Sequence, residues 1–238
     1  MASRVSAALR QLVWEANQDL VPAGLVTLSF GNASGCDREA GILVIKPSGV
    51  PYDALRPTDL VAVALADGRV VAGDARPSSD TPTHLALYRR YPEIGGVVHT
   101  HSIAATAWAQ AGRPIPPLGT THADHFRGAV PVTRAMTEAE IGGEYEAATG
   151  ELIVETLDGA GLLAADMPAV LVASHGPFTW GPDPGAAVAN AIALEAVADM
   201  ASRTYGLASD IGPIADELLE RHFRRKHGPD AYYGQRRR

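Results

Sequence analysis

The sequence predicts a single α/β domain. Three observations carry that expectation. Short β-type runs alternate with amphipathic helical stretches along the whole chain. No low-complexity linker or internal repeat divides it. Its 238 residues, 46% of them hydrophobic, suffice for one substantial core.

The elements follow in order. Val5, Ala8, Leu9, Leu12, Val13, Ala16 and Leu20 stand at helical spacing, so residues 5–20 read as an amphipathic helix. Residues 25–30 and 42–45 are β-type runs, closed by Gly31-Asn32 and by Lys46-Pro47-Ser48-Gly49. Residues 61–65 and 69–71 flank Ala66-Asp67-Gly68, a hairpin signal through Asp-Gly. Thr81-Pro82 marks a helix start, with proline early, and the helix runs to about Arg90. Residues 97–101 read as a strand, 102–111 as a helix closed by Gly112, and 142–157 as a helix. Residues 169–174 form an apolar strand reaching His175-Gly176-Pro177. Two helices, at about 185–205 and 213–227, complete the chain.

Composition excludes several functions. Net charge is −7, so general nucleic-acid binding is not expected. One basic cluster is C-terminal: Arg221, Arg224, Arg225 and Lys226, then Arg236, Arg237 and Arg238, which read as a solvated helix face and a frayed tail. No run is long and apolar enough for a membrane span, and the N-terminus lacks the apolar segment of a secretory signal. The single cysteine, Cys36, forbids an internal disulfide or a Cys-based zinc cluster and fits a cytoplasmic protein.

The chemistry is concentrated in histidines. His99 and His101 lie two residues apart at a strand end, so they point to one side, and two neutral imidazoles there make half a metal site. His175 ends another β-run. Asp80, between Ser79 and a helix start, reads as an N-cap or turn residue as well as a carboxylate ligand. Three histidines and an oxygen donor would suit zinc with an open position for substrate. There is no HExxH or Walker motif, so a zinc protease or a nucleotide-binding protein is not expected.

Longer motifs extend this pattern. Gly31-Asn32, Ile45-Lys46-Pro47-Ser48-Gly49, Pro77-Ser78-Ser79-Asp80-Thr81-Pro82-Thr83-His84, Val98-His99-Thr100-His101-Ser102 and Ser174-His175-Gly176 resemble the class II aldolase/epimerase family. Gly119-Thr120-Thr121-His122-Ala123-Asp124 and Arg225-Lys226-His227-Gly228, through Ala231-Tyr232-Tyr233-Gly234-Gln235, resemble its L-ribulose-5-phosphate 4-epimerase branch. The likeness runs from the first helix to Gln235.

The resemblance implies one α/β domain over residues 1–238, with a central mixed or antiparallel sheet flanked by helices on both sides; residues 236–238 read by themselves as a disordered tail. It implies one zinc ion per subunit on Asp80, His99, His101 and His175, and a phosphate pocket from Gly31, Asn32, Ser48, Gly49, Ser78 and Ser79. Glycine admits close backbone approach, while serine hydroxyls and backbone N–H groups donate to phosphate. Lys46 would add charge there; read alone, it is a surface lysine after a strand. His222 and Arg225, sharing a helix face, are further substrate contacts. Asp124 and Tyr233 take acid/base roles by resemblance only, since alone they read as a loop residue and a tail aromatic. His84, His122, His125 and His227 read as structural or exposed.

The implied reaction inverts C4 of a ketopentose phosphate, L-ribulose 5-phosphate, by retro-aldol cleavage and re-addition, with zinc as Lewis acid. The implied assembly is a homotetramer with sites between subunits, in carbohydrate metabolism, commonly arabinose catabolism. Two other readings compete. A fuculose- or rhamnulose-phosphate aldolase would carry Glu where Asp80 stands. A non-catalytic, adducin-like interaction domain would lack the metal histidines. Locally the chain departs from the family in its arginine tail and in His125 and Arg127 beside Asp124.

Overall fold

The computed structural model describes residues 6–233. Its strands are β1 (Asn32–Asp37), β2 (Ile42–Ile45), β3 (Val61–Ala64), β4 (Val70–Ala72), β5 (Gly96–His99), β6 (Ala169–Val172) and β7 (Gly176–Gly181), and they form one sheet in the order β4-β3-β2-β1-β5-β7-β6. Every pairing between these strands is antiparallel, which resolves the mixed-or-antiparallel expectation. The helices are α1 (Ala7–Asp19), α2 (Thr81–Arg90), α3 (Ile103–Gln110), α4 (Thr120–Ala123), α5 (Glu138–Gly142), α6 (Tyr145–Gly159), α7 (Pro184–Leu207) and α8 (Asp216–His227). No described helix is long and apolar enough to cross a membrane.

Side-chain alternation explains the layers. Leu43, Ile45, Val61, Val97 and Phe178 point to one face, where Leu87 and Tyr88 of α2 and Ile153 and Leu157 of α6 cover them. On the other face Ala33 and Val98 meet Ala16 of α1 and Ala187 and Ala191 of α7, while α3 packs beside α7 through Ala105, Ala109 and Leu194. The sheet is therefore covered on both faces, as its near-continuous apolar strands require.

The structure corrects four local expectations. Residues 25–30 are not a strand; β1 begins at Asn32, where a turn was expected. Asn-Ala-Ser-Gly-Cys-Asp has no apolar alternation, because α1 and α7 press directly on it. A Cβ on Gly35 would stand 2.7 Å from Pro184 Cγ and 2.9 Å from Val13 Cγ2. The strand at 97–101 stops at His99, so His101 lies just beyond it. The helix expected at 142–157 starts at Tyr145, after a break at Gly143 that separates the short α5. β7, with its Gly and Pro, is a fully buried strand that the residue pattern did not reveal. The arginines 236–238 lie outside the described residues.

Candidate metal centre and substrate pocket

β5 ends at the sheet centre with the His99 ring on the α2/α6 side, stacked on Phe178 with centroids 4.2 Å apart. Its Nδ1–H donates to the Pro177 carbonyl at 3.0 Å, which fixes the tautomer and aims the Nε2 lone pair outward. His101 Nε2 faces that atom at 3.1 Å. His175 joins them from the turn between β6 and β7. There Ser174 adopts a left-handed conformation (φ 60°), and the His175 N–H bonds back to Val172 O at 3.0 Å. The Tyr145 hydroxyl lies 3.3 Å from His175 Nδ1.

One nitrogen from each of His99, His101 and His175 lies within 4.8 Å of the others. Burial lowers the pKa of His99 and His175, so both stay neutral and their lone pairs remain available. Convergent, neutral imidazoles with one ring anchored to a carbonyl fit a divalent metal. Asp80 lies outside this three-nitrogen group. It stands at the N-cap position of α2 without a side-chain bond to the helix, and its Oδ2 accepts from Asn32 Nδ2 at 2.7 Å and from Ser78 Oγ at 3.4 Å. Burial raises its pKa, but nearby His99, His84 and Asn32 together outweigh this, and the carboxyl stays below its ordinary range.

Beside the imidazoles is a cleft of about 310 Å³ lined by Asn32, Lys46, Ser48, Gly49, Ser78 and Ser79 among others. Two loops are zipped together to form it: Ser48 N–H donates to Arg76 O and Ser78 N–H to Lys46 O, both at 3.0 Å. Gly31 takes φ 77°, and a Cβ there would stand 2.8 Å from His99 O, so the backbone approach beneath the histidines needs glycine. Asn32 is buried opposite His99 in the β1–β5 register. Lys46 corrects the surface reading. It is 1% exposed, its Nζ lies 4.8 Å from the centre of the Tyr52 ring and 3.5 Å from Ser29 O, and burial lowers its pKa to about 8.

Asp124, His222, Arg225 and Tyr233 gather elsewhere. Asp124 caps α4, and Arg225 grips it with two bonds of 2.9 and 2.6 Å, while His222 Nδ1 lies 3.1 Å from it. Burial raises the Asp124 pKa, but these partners win and hold it low. The Tyr233 ring lies 4.5 Å from the Arg225 guanidinium carbon. None of the four lines the histidine cleft.

Of the histidines set aside, His84 and His122 are buried, and His84 pairs with Ser34. Tyr145 and Glu146 of α6 also line the cleft, and the sequence did not single them out. Their helix carries no spacing that separates them from core positions.

The family model described as Class II Aldolase and Adducin N-terminal domain matches residues 11–202. A curated L-ribulose-5-phosphate 4-epimerase UlaF from Salmonella paratyphi C is 56% identical over 96% of this chain and 99% of its own. Its counterpart from Salmonella typhi gives the same figures, 56%, 96% and 99%. Among solved structures, an L-fuculose 1-phosphate aldolase shares the fold with TM-score 0.72 and 24% identity, over 93% of this chain and 97% of that one. YgbL from Escherichia coli gives TM-score 0.70 and 28% identity, over 92% and 99%.

Proposed function

Because the chain belongs to the class II aldolase and adducin family, we propose that it is an L-ribulose-5-phosphate 4-epimerase, forming D-xylulose 5-phosphate by retro-aldol cleavage and re-addition. The near full-length likeness to curated epimerases carries this reading. The cleft adds support, since it joins metal-type imidazoles to serine and amide donors suited to a phosphate.

The chemistry of the substrate sets what the residues must do. The C4 hydrogen is not adjacent to the C2 carbonyl, so direct deprotonation there is a poor route. Removing the C4 hydroxyl proton instead lets the C3–C4 bond break, with charge collecting on the C2 oxygen. Zinc, held by His99, His101 and His175 with Asp80 as fourth ligand, supplies Lewis-acid stabilisation of that charge when bound. Ser48, Ser78, Ser79 and Asn32 hold the phosphate while the aldehyde fragment turns, and the loop glycines Gly31 and Gly49 let it approach the backbone. A phosphate dianion beside Lys46 would further favour its charged form.

Two acid/base groups are needed, one for each C4 oxygen position. Asp124 fills one role: Arg225 and His222 keep it in the ionised, proton-accepting form while making it a weaker base. Tyr233 fills the other. Both stand away from the cleft of their own chain, which supports a cyclic homotetramer in which a neighbour supplies them. The single unpaired Cys36 fits a cytoplasmic enzyme.

The test is direct. Purified protein with zinc is expected to convert L-ribulose 5-phosphate to D-xylulose 5-phosphate. Stoichiometric release of free aldehyde without that product would overturn the reading in favour of an aldolase.

A further inference from the structure

α8 carries His222 and Arg225 to Asp124, yet little apolar surface holds it in place. Only two of its residues, Leu219 and Phe223, are buried. A helix seated on two apolar side chains can roll about its axis, so its polar contacts must set the angle.

The loop that it meets is firmer. Phe126 is fully buried, and His122 Nε2–H donates to the Gly128 carbonyl at 2.7 Å, which closes the turn around residues 124–128. Asp124 and Arg127 leave this loop three residues apart, and both reach α8. Arg127 Nε and Nη2 each donate to Glu220 at 3.0 Å, a bidentate pair. Its Nη1 donates to Asp166 Oδ2 at 2.9 Å, and its backbone N–H to Asp166 O at 3.1 Å. Glu220 also meets Arg224, but both belong to α8, so that pair does not tie the helix to the body.

At 3.6 residues per turn, Glu220 lies on one flank of the Leu219–Phe223 stripe, and His222 and Arg225 lie on the other. Arg127 therefore grips one flank of α8 while Asp124 grips the opposite one. Two such points fix the roll that two apolar anchors leave free. Exposed ion pairs usually contribute little, with bidentate and networked pairs as the exceptions. Arg127 is both, since one guanidinium joins the loop, Asp166 and α8.

We propose that Arg127 is a positioning residue: its clamp on Glu220 and Asp166 sets the roll of α8, and so the geometry in which Arg225 and His222 hold Asp124. The consequence for the reaction rests on the reading of Asp124 as an acid/base group.

The experiment uses the full chain loaded with zinc and two readouts. One is backbone amide exchange followed by mass spectrometry; the other is kcat and KM for L-ribulose 5-phosphate. In Arg127→Gln the α8 amides are expected to exchange about threefold faster or more, with those of α2 unchanged. The kcat per zinc-loaded site is expected to fall about threefold or more, with KM and zinc content unchanged, because neither Arg127 nor Glu220 lines the histidine cleft. Glu220→Gln breaks the same clamp from the other side and should act alike, and the double variant should lose less than the product of the two. Arg127→Lys, which keeps the charge without the fork, should fall between Arg127→Gln and the unaltered protein. Unchanged α8 exchange overturns the proposal, as does an equal speeding of α2 and α8 or a double variant that shows the full product. Faster α8 exchange with unchanged kcat overturns the positioning role when Asp124→Asn is inactive. If Asp124→Asn is itself fully active, the acid/base reading falls and the clamp is judged on exchange alone.

Discussion

Lys46 brings an amine to a place 1% exposed, beside the cleft and over Tyr52. With no carboxylate partner among the described residues, burial lowers its pKa to about 8, against 10.5 for the ordinary side chain. Between those values the unfolded chain binds the extra proton, so this group makes stability rise with pH across that window. Below pH 8 both states are protonated and the full cost of burying the ammonium is present. Lys46→Met is therefore expected to raise the melting temperature at pH 7, by an amount that shrinks toward pH 10.5. The same change should raise KM for the phosphorylated substrate about 10-fold or more, since a charge-assisted hydrogen bond contributes about 1.5–3 kcal/mol. A lower melting temperature at pH 7 with unchanged KM would refute both roles. At the metal centre, His99→Ala is expected to cut zinc content well below about one ion per subunit, measured by elemental analysis after dialysis.

At the scale of elements, β1 governs the site. It lies between β2 and β5, and its first residue, Asn32, stands opposite His99. Its small side chains let α1 and α7 close on the sheet. The Gly35 backbone is extended, so a substitution there tests packing rather than strain. Gly35→Val would drive side-chain atoms into Pro184, Val13 and Leu9. Urea unfolding is expected to show a loss of about 1–3 kcal/mol, or more if the helix cannot retreat. No loss would mean that α1 and α7 do not pack on β1 as described. The β6–β7 turn works in a similar way, since the left-handed Ser174 lets His175 meet the two histidines at the end of β5.

At the scale of the whole molecule, two constellations stand apart. Three imidazoles and the phosphate-type loops share one cleft, whereas Asp124, Arg225 and Tyr233 cluster around α4 and α8. If neighbouring copies combine them, His99→Ala and Tyr233→Phe subunits should complement each other. In randomly mixed cyclic tetramers, about one quarter of the sites would pair an intact metal centre with an intact tyrosine. Co-refolded equal amounts are expected to approach that fraction of normal activity. No recovery in verified hetero-oligomers would place the acid/base groups in the same chain as the metal.

The sequence by itself determined the α/β class, the helix at Thr81–Arg90, the Asp67-Gly68 hairpin and the histidines that could hold a metal. These depend on local signals: apolar periodicity, turn chemistry and residue type. It could not reveal β1 or β7, because Asn-Ala-Ser-Gly-Cys-Asp and Gly-Pro-Phe-Thr-Trp-Gly become strands through their neighbours rather than their own pattern. Nor could it distinguish a surface Lys46 from a buried one, or pair Asp124 with Arg225 across 101 positions. Only tertiary structure decided which side chains share one small volume. Burial and direction, which set tautomer, charge and reach, are properties of that packing and not of any residue alone.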